Sequence, residues 1–169
     1  MKKLSLVLAA LLLPLAVAAA DESMSEAAKK AAQCESAKNA KAKALAKIGM
    51  DVTPSPAGAK EYFITPANGA EVKGPVKVVF GLAGMGVAPA GTQKDNTGHH
   101  HLVIDGAAFD ATKPLPATDQ IKHFGNGQTE TTVTLAPGNH TLQLVLGDWK
   151  HQPHSPAVMS ETITITVTK

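Results

Sequence analysis

Gly98-His99-His100-His101-Leu102-Val103-Ile104-Asp105-Gly106 sets three consecutive imidazoles at the head of a short apolar run bounded by turn residues, the pattern of a buried β-strand. Side chains alternate across a strand, so His99, His101 and Val103 share one face and His100, Leu102 and Ile104 the other. Residues two apart stand roughly 6.5–7 Å from each other along a strand, so His99 and His101 can both reach one ion. All 7 histidines of the chain fall between His99 and His154. No other chemical signal in the sequence is as concentrated.

Toward the C-terminus, a proline-spaced loop from Ala107 to Lys122 leads to His123-Phe124-Gly125-Asn126-Gly127-Gln128, and Thr129 to Leu135 then alternates threonine with apolar residues. Ala136-Pro137-Gly138-Asn139 has the composition of a hairpin connection. It leads into His140 to Leu146, where Leu142, Leu144 and Leu146 form an apolar face. Gly147 to Pro156 is a loop carrying Trp149, His151 and His154. In the last strand Ile163, Ile165 and Val167 alternate with threonines.

Upstream, Tyr62-Phe63-Ile64 stops at the turn Pro66-Ala67-Asn68-Gly69. The strand from Pro75 to Phe80 places Val76, Val78 and Phe80 on one face. Gly81 to Gly98 reads as a loop whose glycines lack the spacing and the Gly-Lys-Ser/Thr ending of a phosphate cradle. About seven strands in roughly 110 residues, with no helical period among them, predict an all-β domain over 59–169 built as a small antiparallel β-sandwich.

The N-terminus differs in kind. A basic head (Lys2, Lys3), an apolar core from Leu4 to Val17 and Ala18-Ala19-Ala20 make residues 1–20 a secretory signal peptide. The apolar run falls short of the roughly 20 residues a membrane span needs, so no span is expected once the signal is removed. Residues 21–58 form an Ala/Lys-rich helical or disordered tether ending in the linker Thr53-Pro54-Ser55-Pro56-Ala57-Gly58. A periplasmic or secreted bacterial product follows from this. Cys34 is the sole cysteine, so no internal disulfide framework exists; the thiol reads as tolerated in its segment.

The whole chain has 16 basic and 14 acidic residues; loss of Lys2 and Lys3 leaves the mature protein formally neutral. It contains no arginine, and without a basic face or bidentate guanidinium contacts, nucleic acid is excluded as a partner. The sandwich itself is mildly acidic, which suits a cation.

His99, His101, His123, His151 and His154 form the candidate ligand pool. Neutral imidazole is a common ligand for zinc and copper, and three or four suffice for a divalent ion. Copper(II) heads the divalent affinity order, with zinc its close competitor. His100 and His140 are expected to be structural, and Asp105, Asp148, Thr129 and Glu130 are available to pair with histidines that hold no ion. Met85 and Met159 read as packing residues and Trp149 as a loop anchor. No nucleophile elbow and no His-Glu-x-x-His helix is present. An enzyme would need an open metal position with Asp105 or Glu130 as base. The expected function is therefore copper or zinc sequestration or delivery. The alternative is a non-catalytic module that meets a cell-envelope protein partner and uses its histidines structurally.

The segments Gly98 to Asp105, His123 to Glu130 (HFGNGQTE) and Pro137 to Leu144 (PGNHTLQL), with the Gly147 to His154 loop, resemble an uncharacterised family of exported bacterial domains of unknown function. That resemblance spans the domain from Glu61 to Lys169 and implies an immunoglobulin-like fold. It brings no established activity.

Overall fold

A computed structural model describes residues 26, 28–30, 33–34, 36–37 and 52–169; the signal peptide expected at 1–20 lies outside the described residues. The chain divides into two compact units, residues 1–37 and 38–169. Every described residue of the first is helical, as its alanine and lysine content favours, and Cys34 there is a free, exposed thiol. Among the described residues no helix is long and apolar enough to cross a membrane.

Among the described residues the second unit has nine strands: β1 (Lys60–Thr65), β2 (Glu71–Lys73), β3 (Val76–Ala83), β4 (Gly86–Val87), β5 (Thr97–Ile104), β6 (Ile121–His123), β7 (Glu130–Val133), β8 (Gly138–Gly147) and β9 (Ile163–Thr168). One sheet has the order β1-β3-β7; the other runs β2-β9-β8-β5-β4, with β6 also paired to β5. Most neighbours are antiparallel, but β2 on β9 and β4 on β5 are parallel. The result is the expected β-sandwich, with mixed rather than purely antiparallel sheets.

Alternation explains the core. Val76, Val78 and Phe80 of β3 face Leu102 and Ile104 of β5, Leu142 and Leu144 of β8, and Ile163, Ile165 and Val167 of β9, all buried between the sheets. A second apolar cluster (Val103, Leu115, Ile121, Val145, with Phe109 and Met159 against it) lies on the outer face of the larger sheet. There the loops after β5 and β8 cover it. This outer cover is why β5 is buried on both faces from Gly98 onward.

The Ala136–Asn139 segment is not a hairpin. β7 pairs with β3 in the smaller sheet, whereas β8 pairs with β9 along Gly138–Leu142 and with β5 along Leu142–Gly147. The proline and glycine carry the chain from one sheet to the other, a gap of about 10 Å. Turn composition is local, and the choice of partner is not. Likewise Gly86–Val87 and Ile121–His123, within segments expected to be loops, form short strands on the free edge of β5.

Candidate metal centre

His99 and His101 project from the outer face of β5 and are fully buried. β6 lies antiparallel beside β5 with His123 opposite His101. The turn after β8 delivers His151 to the same place. His99 Nε2 lies 2.9 Å from His151 Nδ1, and one ring nitrogen from each of His99, His101 and His151 falls within 4.8 Å of the others. The His99 and His101 ring centroids are 4.6 Å apart. His123 stacks on His151 at 4.8 Å and meets His101 edge-on at 4.4 Å. Its Nε2 contacts the Pro116 carbonyl at 3.2 Å. Imidazoles bound to zinc sit about 2.0–2.1 Å from the ion, so small ring movements bring the three nitrogens to one centre.

Two local features make this convergence possible. Gly147 lies opposite His99 in the ladder, and a Cβ there would collide with the His101 ring; only glycine leaves that space. Asp148 then organises the turn. Its Oδ1 accepts from the Lys150 and Gln152 backbone N–H groups at 2.8 and 2.9 Å, and its carbonyl accepts from His151 N–H at 2.9 Å. His151 is thereby held at φ 68°, a left-handed conformation that costs a non-glycine residue of order 1 kcal/mol.

Burial, then the neighbouring imidazoles, hold the ring of His99 down to about 4 and that of His101 down to about 2. The same two causes lower His151. Each shift favours the neutral imidazole, the form that binds metal. The His99 backbone slightly offsets the His101 shift. Even so, neither nitrogen of His101 makes a hydrogen bond of proper geometry among the described residues, and His99 Nδ1 makes none either. A neutral imidazole carries one donor and one acceptor, and each buried group left unpaired costs about 1–3 kcal/mol. A bound ion would use such a lone pair. The residues present fit a metal.

A pH dependence follows. A histidine lowered in the fold takes up its proton in the unfolded chain first, so stability is full above the unfolded value near 6.5 and declines as pH falls toward the folded values. Glu61, which burial raises to about 7, works in the opposite sense, favouring the fold at low pH and losing that contribution as pH rises through 7. Two histidines with the larger combined displacement outweigh one carboxyl. The metal-free protein is expected to lose roughly 2 kcal/mol between pH 7.5 and pH 5, read from urea midpoints in chelator. A flat profile would contradict the assignment.

The other histidines lie elsewhere. His154 is buried, with Nδ1 3.3 Å from the Leu146 carbonyl; its ring packs where a Cβ of Gly98 would point, on the face of β5 that carries His100. His100 Nδ1 meets Glu61 Oε1 at 2.7 Å across the two sheets, both fully buried. His140 sits between Asp105 Oδ2 at 2.9 Å and the Ala136 carbonyl at 2.8 Å, contacts that raise its pKa. The sequence reading missed Glu61; the clue is its place on the inward face of β1, two residues before Phe63. Of the bases considered, Asp105 is engaged by His140 and Glu130 by Lys77 at 3.1 Å. Met159 packs in the outer apolar cluster, and the Trp149 carbonyl accepts from Gly91 N–H at 2.9 Å.

Residues 78–168 match the family model described as Domain of unknown function (DUF4399), which takes in all the histidines. No curated protein matches the chain. Among solved structures, the X-ray structure of the endo-β-1,4-mannanase from Thermotoga petrophila is similar at 16% identity, with a TM-score of 0.38, over 66% of this chain and 20% of that one. This chain thus spans about a fifth of that protein, and so loose a likeness transfers neither architecture nor activity.

Proposed function

We propose, for a chain that belongs to the DUF4399 family of domains of unknown function, that it is an exported bacterial metal-binding protein that sequesters or delivers one copper or zinc ion. The observation that carries this reading is the convergence of His99, His101 and His151, with ring nitrogens of His99 and His101 buried and unpaired among the described residues. Packing does not account for it, since an apolar side chain would fill the space of His101 without stranding two polar atoms. All three donors are imidazole nitrogens, a set that suits copper(II) or zinc over magnesium or calcium. His123 supplies a fourth nitrogen by leaving the Pro116 carbonyl. The pattern of residues 1–20 supports a periplasmic or secreted location.

The test separates ligand from scaffold through His151→Gly. Glycine relieves the left-handed backbone while adding freedom to the unfolded chain, effects of about 1 kcal/mol each and opposite sign. The substitution also strands the buried Nε2 of His99, so metal-free stability is expected to fall by about 1–3 kcal/mol, the cost of that lost contact. Affinity for copper(II) and zinc should fall by on the order of 100-fold or more, beyond the loss seen when outer partners of a ligand are removed. Equilibrium dialysis with elemental analysis reads the uptake. Equal uptake by the wild type and the variant would instead support the envelope-module reading, in which these histidines only hold loops together.

A further inference from the structure

We infer that Thr53, ahead of the residues matched by the family, is a positioning residue for the metal centre: its hydroxyl locks the turn that presents His151. This rests on the metal-binding reading and extends it to how the site is held. The geometry is a chain of short contacts. Thr53 Oγ1 donates to Asp148 Oδ2 at 2.6 Å, a charge-assisted bond of the strong kind. The other oxygen of that carboxylate accepts the two N–H groups that flank His151 in sequence, those of Lys150 and Gln152.

Asp148 is buried, so Thr53 fixes the rotamer of a group that water hardly reaches. The segment around it is docked rather than free. Ser155 N–H donates to the Thr53 carbonyl at 3.0 Å, Pro54 bridges Ser155, and Ser55 Oγ donates to the Pro156 carbonyl at 2.7 Å. What composition reads as linker is a strap across the loop. From the opposite side Leu115 N–H donates to the His151 carbonyl at 2.8 Å, so the His151 backbone is gripped between that loop and the turn the strap holds. With the hydroxyl gone, Asp148 Oδ2 is a buried carboxylate oxygen without that donor, and the turn has reason to rearrange toward water. His151 would then leave a position it occupies at a backbone cost.

The experiment uses the full chain and copper(II) as the probe. Thr53→Val, isosteric but without the donor, is expected to weaken copper(II) binding about 10- to 100-fold, as loss of an outer partner does at other sites. The visible and EPR spectra of the copper-loaded protein should shift as well. Thr53→Ser restores the hydroxyl and is expected to bind within about threefold of wild type. Ser55→Ala removes a strap contact that does not touch Asp148 and should leave affinity and spectrum unchanged; Thr53→Ala, which removes the same donor with less bulk, stands in should Thr53→Val fail to fold. If wild type takes up neither copper(II) nor zinc, the metal-binding reading itself falls; if it takes up zinc alone, the same affinity comparison is read with zinc. If wild type binds and Thr53→Val binds equally with the same spectrum, or Ser55→Ala weakens binding as much as Thr53→Val, or Thr53→Ser fails to rescue, the role given to Thr53 is wrong.

Discussion

Copper(II) or zinc at a hundredfold excess over its dissociation constant is expected to raise the unfolding free energy of the full chain by about 2.7 kcal/mol, and His99→Ala with His101→Ala is expected to abolish that increment. The argument is one of linkage. An ion that binds only the folded arrangement stabilises it in proportion to the logarithm of its concentration over the dissociation constant. The unfolded chain retains the His-x-His pair of β5 but not its meeting with His151, which sits beyond β8. The double substitution also removes the stranded nitrogens of His99 and His101, an apolar gain set against the cavity it leaves. Its metal-free stability thus changes less than two ordinary core truncations would. Thermal unfolding with and without metal, for both proteins, reads both quantities. A wild type insensitive to metal, or a variant that keeps the full increment, would defeat the assignment.

The second large effect concerns the opposite face of the same strand. Glu61→Ala is expected to destabilise the protein by about 3–5 kcal/mol, the usual result of removing one partner from a buried ionisable pair. His100 would be left in the core beside Phe80, whose ring centroid is 5.0 Å away, with no acid to meet its Nδ1. Glu61→Gln retains a hydrogen-bonding group and is expected to cost less than half as much. Replacing both Glu61 and His100 by leucine should come close to neutral, because the pair's own desolvation offsets its attraction. Urea unfolding of the three variants checks the ordering. A mild Glu61→Ala would mean that water or another group reaches His100.

The two pairings on β5 show what a sequence makes legible. Alternation placed His99 and His101 together and His100 apart, because a strand offers only two faces. It likewise identified Val76, Val78 and Phe80, and Ile163, Ile165 and Val167, as core. The ladder partner of a residue is a different matter. His123 comes beside His101 through a three-residue strand too short to show a period, and Glu61 reaches His100 across the gap between sheets. The crossing at Pro137-Gly138 is illegible in the sequence for the same reason: residues that make a tight turn also serve a change of sheet. Thr53 was hidden by composition, since prolines and serines describe a docked strap as well as a free linker.

The acid that faces His100 has a practical bearing on how the gene is trimmed. A recombinant fragment cut to residues 78–168, the span the family shares, would start inside β3 and discard the whole of β1, and with it the only carboxylate near that imidazole among the described residues. It would also expose the edge of β3 that β1 covers, inviting strand pairing between copies. Crystallisation and binding work therefore needs a boundary at or before Val52, well outside the recognisable domain.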